Sequence, residues 1–360
     1  MFARRSHLLF AAGLSLLFPV DALAQSVPSD IPEITLRIAD TFPPVGFVPT
    51  EQKAWAENIT RKTGGKVKFQ FFWSDSLFKQ ADAATNLAAG VADGARVSST
   101  YDPAKTQLWM TLDMPYNAKD YWCGMTSSVK VEQEEPNLSK TFGELGFLPV
   151  LGYSSGHFQF LANEPIAKIE DLKGKRLRSY GGARVKMYEL VGISPIFMAY
   201  SQIYEAVERG VIDGAEATIL LTVSFKHYEV AKYMTIARTG FVLASPISLS
   251  QKTWKSFPDS LKKIFREAGI EHDQQYARKM MEQEEVTLKD FRENKGMTIL
   301  TLSDADQKAI DAAGHKAQEL WLADMESKGV PARATWGEFR KLYDACEKDV
   351  AANGYPWAKK

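Results

Sequence analysis

Cysteine is scarce: 360 residues hold only Cys123 and Cys346. Two thiols cannot make a disulfide scaffold or a multi-cysteine metal cage, and whether they bridge or stay free is open at this point. An excess of either charge is also missing. The 44 basic side chains equal the 44 acidic ones, so the chain lacks the field that holds phosphate backbones, and no nucleic-acid partner is expected. Histidine is rare, and His157, His227, His272 and His315 never stand at metal-ligand spacing from one another. Glu271-His272-Asp273 sets carboxylates beside an imidazole, but adjacent helical residues point to different faces. There is no G-x-x-x-x-G-K-[ST] phosphate loop. Gly152-Tyr153-Ser154-Ser155-Gly156 satisfies G-x-S-x-G, yet HFQFLAN follows it and reads as strand, where a hydrolase nucleophile needs a helix. With no catalytic constellation, a binding protein leads.

What is present starts with export. Arg4 and Arg5, the apolar run from Leu8 to Val20 and Ala22-Leu23-Ala24 form a cleavable leader over residues 1–24, with the mature chain starting at Gln25. Sec is the default route, and the twin arginines leave a Tat route open. No later segment is apolar over the roughly 20 residues that a bilayer requires. The mature protein is therefore expected to be periplasmic.

The chain repeats one device. Gly90-Val91-Ala92-Asp93-Gly94-Ala95 returns as Gly210-Val211-Ile212-Asp213-Gly214-Ala215, 120 residues later. Each copy follows a helical segment (80–89, 201–209) and precedes a strand-like run, ARVSST or AEATILL. Glycine past a helix end takes the left-handed conformation, and Asp-Gly turns the chain into the next strand. Around these copies lie strand 34–40, helix 50–63, strand 66–73, strands 147–155 and 157–163, helix 183–191, long helices at 258–293 and 303–327, and strand 297–302. Interleaved strands and helices predict α/β lobes with ligands at the carboxyl ends of the strands.

A resemblance sharpens this. Asn163-Glu164-Pro165-Ile166, then Asp171-Leu172-Lys173-Gly174-Lys175-Arg176-Leu177-Arg178, is similar to N-x-P-I…D-L-K-G-x-K-[IL]-R of the solute-binding subunits of tripartite ATP-independent periplasmic (TRAP) transporters, C4-dicarboxylate-binding type. Gly192-Ile193-Ser194-Pro195, Met198 to Ala206, and Gly210 to Glu216 continue it in order. The resemblance covers about Ile34 to Val350. It implies an α/β, two-lobed periplasmic-binding-protein-like fold with mixed sheets, a ligand cleft between the lobes and long connecting helices. The lobes would be 26–155 with 243–283, and 156–242 with 284–360.

It also implies a site. Arg178 stands where the family's arginine binds the ligand carboxylate, and two parallel guanidinium donors suit that geometry. Tyr200 holds the aromatic position against the ligand; Ser98 and Tyr101 face its far end. Ala217 replaces a polar or aromatic residue, with Glu216 or Thr218 as compensation, and Phe158 stands where polar relatives place an arginine. These departures, with the aromatic Trp73, Tyr101, Tyr153 and Tyr180, favour an aromatic or apolar monocarboxylate. A C4-dicarboxylate or 2-oxo acid is the alternative ligand; a sensory protein presenting an organic acid to a receptor is the alternative role. No catalytic residue, cofactor or metal is implied. The expected partners are the organic acid and the small and large permease subunits, and a monomer is expected.

Overall fold

The computed structural model describes residues 27–358; the leader, its cleavage site and Gln25 lie outside the described residues. β1 (Ile34–Ala39) leads through α1 (Phe47–Lys62) to β2 (Val67–Phe72), parallel to β1. α1 starts three residues earlier than its sequence suggests and buries Val48, Gln52, Trp55, Ala56 and Ile59 in one stripe of three- and four-residue spacing. Next come α2 (Ala83–Ala88), β3 (Gly94–Arg96), α3 (Pro103–Thr106), α4 (Tyr121–Glu134), α5 (Pro136–Leu145) and β4 (Phe147–Leu151). The second half runs β5 (Phe158–Ala162), β6 (Arg176–Ser179), α6 (Ala183–Leu190), β7 (Ser194–Phe197), α7 (Ile203–Glu208), β8 (Gly214–Thr218), α8 (Ile219–Ser224) and β9 (Tyr233–Ile236). β10 (Ile247–Ser250), α9 (Gln251–Ser256), α10 (Asp259–Glu293), β11 (Thr298–Thr301), α11 (Asp304–Ser327) and α12 (Ala332–Asn353) complete the chain.

Two mixed sheets result. The first has the order β2-β1-β3-β10-β4, the second β11-β9-β5-β8-β6-β7. β1 runs parallel to β2 and β3, and β6 parallel to β7 and β8, while β10 and β5 run antiparallel to their neighbours. The sequence repeat is a repeat of bonds. In the first sheet Arg37 donates from its backbone N (2.9 Å) and Nε (3.1 Å) to Asp93, and from Nη2 to the Gly90 carbonyl (3.3 Å). In the second, Arg176 does the same to Asp213 (2.8 and 3.2 Å) and Gly210 (3.0 Å). Each aspartate thus fastens a turn to the neighbouring parallel strand.

Three expected strands end early, ARVSST among them, which is strand only to Arg96. The one at 147–155 stops at Leu151, and residues 152–157 cross to the second sheet; AEATILL is strand only to Thr218, because Ile219 opens α8. A second crossover, 237–246, returns the chain to β10. The two segments pair where they pass, through a bridge between His157 and Phe241 and a bond from Phe158 N to Gly240 O (2.9 Å). α10, about 50 Å long at 1.5 Å per residue, packs on α1, α4 and β4 of the first half and on α8 and β11 of the second.

α12 packs on α4 and on residues 109–113, with Phe339 and Tyr343 in the core shared by α4 and α5. Cys123 and Cys346 form a disulfide between α4 and α12. The carboxyl-terminal helix therefore lies with the first sheet's elements, although its sequence position groups it with the second lobe.

Candidate functional site

The sheets face each other across the carboxyl ends of β1, β3, β4, β6, β7 and β8 and the amino ends of the antiparallel β5 and β10. Thr41 and Phe42 follow β1, Ser98 and Tyr101 follow β3, and Tyr153 and Ser155 follow β4; Tyr180 follows β6, Tyr200 follows β7 and Leu221 follows β8. These residues, with Gln80, Phe158, Val242 and Ser245, line one cleft. Bonds cross it: Ser98 Oγ and Tyr180 OH lie 2.5 Å apart, and the Tyr101 hydroxyl accepts from Tyr200 N at 3.1 Å and faces Arg178 Nη2 at 3.4 Å. The space left is about 20 Å³, room for about one water molecule. Burial pushes the Tyr200 and Tyr153 hydroxyls above the usual tyrosine range, so both stay neutral donors.

Arg178 lies under this cleft and is 0% exposed. Its Nε donates to the Met198 carbonyl at 3.1 Å, and its guanidinium sits 5.2 Å from the Tyr200 ring centre and 5.4 Å from that of Tyr180. Its Nη1 has no partner, and no carboxylate among the described residues pairs with it. Two other buried arginines behave differently. Arg96 donates from Nε to both oxygens of Asp40 (3.0 and 3.1 Å) and spends its remaining nitrogens on Gln52 and the Ser245 carbonyl. Arg184 donates to Glu216 at 2.6 Å and to the Asp113, Thr239 and Phe241 carbonyls. A buried cation is costly unless paired and hydrogen-bonded. Arg178 alone of the three lacks its counter-charge.

The site residues expected from the sequence divide. Ser98, Tyr101, Phe158 and Tyr200 line the cleft, but Tyr101, expected at the ligand's far end, stands at the guanidinium end, its hydroxyl 3.4 Å from Arg178 Nη2. Thr218 is buried alongside, its N donating to Tyr200 OH at 3.4 Å. Glu216 is not a free group facing the cleft: it is claimed by Arg184, whose guanidinium also stacks 4.5 Å above Phe158. Ala217 packs into the apolar cluster with Phe158, Leu161 and Met234. Trp73 lies outside the cleft, stacked on Phe71 at 4.8 Å under the Lys53 ammonium. Phe42, Ser155 and Leu221 belong to the cleft and were missed. Phe42 directly follows β1, and the repeat held the signal for Leu221, which stands eight residues after Asp213 as Tyr101 stands eight after Asp93. Among the described residues no group of three or more His, Cys, Asp or Glu side chains is placed to hold a metal.

Residues 43–324 match Bacterial extracellular solute-binding protein, family 7. A solute-binding protein of Sulfitobacter sp. NAS-14.1 is 27% identical over 303 residues, 82% of this chain and 88% of that one. The C4-dicarboxylate-binding protein DctB of Bacillus subtilis is 25% identical over 262 residues, 71% and 72% of the two chains. The fold is shared with a TRAP periplasmic solute-binding protein from Sulfitobacter sp. NAS-14.1 with bound β-D-galacturonate (24% identity, TM-score 0.74, 86% of this chain and 100% of that one). It is shared also with a Bordetella pertussis extracytoplasmic solute receptor binding pyroglutamic acid (18% identity, TM-score 0.75, 86% and 99%). A third structure, from Desulfovibrio salexigens, carries orotic acid (22% identity, TM-score 0.74, 86% and 97%). The chain belongs to this solute-binding family of TRAP transporters, whose members are periplasmic binding proteins and not enzymes. No helix among the described residues is long and apolar enough to cross a membrane.

Proposed function

We propose that this family member captures a small organic acid between its two sheets, holds the carboxylate on Arg178 and delivers it to the membrane permease. The observation that carries the reading is the unpaired guanidinium. A protein that supplies carboxylates to Arg96 and Arg184 but leaves Arg178 Nη1 bare has kept a buried cation for an anion from outside. A ligand carboxylate would accept from Nη1 and Nη2, and the Tyr101 hydroxyl, now facing Nη2, would become its neighbour.

The ligand's class follows from the walls. Phe42, Tyr153, Phe158, Tyr180 and Tyr200 surround the cleft, and no second unpaired cation faces it among the described residues. An aromatic or apolar monocarboxylate suits this lining better than a dicarboxylate, whose second charge would be desolvated without a partner. The galacturonate, pyroglutamic acid and orotic acid bound by the structural relatives each carry one carboxylate.

A space of about 20 Å³ admits no such acid, so entry requires the sheets to part and capture requires them to close. The moving bodies in this reading are 27–155 with 243–283, and 156–242 with 284–327, bending at the two crossovers; α12, expected in the second body, goes with the first because the disulfide and its packing on α4 hold it there. The closed form, as a monomer, is what the small and large permease subunits receive. Thermal unfolding against aromatic and branched monocarboxylates, 2-oxo acids, sugar acids and C4-dicarboxylates tests the class. At 100 times its dissociation constant a ligand adds about 2.7 kcal/mol, several degrees in a protein of this size. Aromatic or apolar monocarboxylates should give the largest shifts. A dicarboxylate shifting it most would overturn the ligand class, and a response to neutral sugars alone would overturn the site.

A further inference from the structure

The point where the two crossovers meet α10 holds a carboxyl group that the acid site does not use. Glu284 is buried on α10, the helix that touches both sheets. Its Oε2 accepts from the Tyr121 hydroxyl of α4, and its Oε1 has no partner. Gly156, in the first crossover, takes φ +86°, and a Cβ built there would collide with Glu284 Oε1. The carboxyl thus lies directly against the backbone of the bending segment. The ring of Tyr121 leans in turn on His157 (5.4 Å between ring centres) and on Phe241 (4.9 Å), one from each crossover. The second crossover also carries Arg238, an exposed non-glycine residue at φ +48°. Its charge acts on Glu284, yet it makes no ion pair with it.

From this juxtaposition we infer that Glu284 is a proton-operated latch of the hinge: protonated, it fits the closed arrangement, and ionised, it favours parting of α10 from the crossovers. The inference rests on the reading that the two lobes close about these segments. An ionised carboxylate has about four acceptor sites to satisfy, and here one hydroxyl serves them all. Parting would let water and Arg238 reach the free oxygen. The groups facing Glu284 are Tyr121 from α4 and Arg238 from the second crossover, with Glu285 beside it on its own helix; His157, in the first crossover, meets it through Tyr121. Burial, opposed by the Tyr121 hydroxyl, pushes Glu284 up to about 7 from an ordinary 4.5, whereas burial holds His157 neutral down to about 3. Above pH 5, then, Glu284 is the member of this set that changes charge near neutrality. Because the closed form binds the proton more tightly, closure is favoured at low pH and weakens as pH rises.

The test needs no ligand. Spin labels at Lys68→Cys and Lys173→Cys, exposed positions in the first and second sheets' halves, report the closed fraction by electron–electron distance measurement with the native disulfide intact. If the open form exposes Glu284 fully, the closed-to-open ratio should fall by up to about thirtyfold between pH 5.5 and 8.5. Glu284→Gln should hold the closed ratio constant over that range. Tyr121→Phe, which removes the donor to the ionised form, should move the midpoint to higher pH and keeps the test alive if Glu284→Gln misfolds. A wild-type distance that ignores pH, a Gln variant that keeps the wild-type response, or an unmoved midpoint in Tyr121→Phe would each overturn the latch. None of these results depends on Arg178 binding an acid, so the two readings fail separately.

Discussion

Arg184 donates to Glu216 at 2.6 Å in an environment where both side chains are almost wholly excluded from solvent, and the pair shows what a buried guanidinium in this protein normally has. Arg178, with no such partner, should respond to truncation in the opposite way. Arg184→Met strands the Glu216 carboxylate and should cost about 3–5 kcal/mol of stability, whereas Arg178→Met removes an unpaired buried charge and should leave stability unchanged or raised. Urea unfolding of the two variants decides this; an Arg178→Met loss as large as that of Arg184→Met would mean that Arg178 is structural.

A second expectation concerns the contact between the start of α1 and the end of α8. Gly46, before α1, takes φ +95°, and a Cβ there would strike Ser224 Oγ at the end of α8. Gly46→Ala should hold the two halves apart and weaken acid binding about tenfold or more, in keeping with 1–3 kcal/mol of strain. Small-angle scattering with the acid present should show a larger radius of gyration than wild type. Adding Ser224→Gly should recover the part of the loss that is steric; no recovery would place the whole effect in the backbone of Gly46.

His227 sets a pH dependence of stability. Its ring is buried against Tyr200 (5.3 Å) and Phe225 (5.7 Å), and neither nitrogen has a partner. Burial, reinforced by the Arg178 charge, lowers it to about 3 from 6.5. Between those values the unfolded chain holds a proton that the native state rejects, so this residue destabilises the fold progressively as pH falls below 6.5. His227→Phe should therefore gain about 2 kcal/mol at pH 5 relative to its effect at pH 7.5. Equal effects at the two pH values would contradict the assignment.

The disulfide joins positions 223 residues apart. Closing so long a loop restricts the unfolded chain, so Cys123→Ser with Cys346→Ser should cost on the order of 5 kcal/mol. Since α12 packs on α4 at this point, amide exchange should rise first in α12. Uniform exchange changes across both sheets would contradict a local role for the bridge.

Much of this architecture was legible because it is local. The 3.6-residue stripes of α10 and α11, the Ser303 cap that accepts from Asp306 N at 3.1 Å, and the Gly-x-x-Asp-Gly turns all write their geometry into neighbouring residues. Long-range features were not legible. α4 contains Cys123, Gly124, Thr126, Ser127, Ser128 and Val129, poor helix formers, and depends on the Asp120 cap and on packing against α12. At the site, the family pattern marked Arg178, but Glu216 and Trp73 were misread, because nothing in the sequence around them shows that Arg184 claims one and Phe71 and Lys53 cover the other. Phe42 and Ser155 were missed because their role comes from the meeting of two sheets, which no single motif records.

The most direct test of the central claim is calorimetric titration of wild type and Arg178→Met with the acid giving the largest thermal shift, alongside its uncharged amide. The account predicts that wild type binds the acid, that Arg178→Met loses at least a hundredfold in affinity, and that wild type binds the amide no better than the variant binds the acid. An Arg178→Met protein that keeps wild-type affinity, or a wild type that takes acid and amide alike, would contradict it.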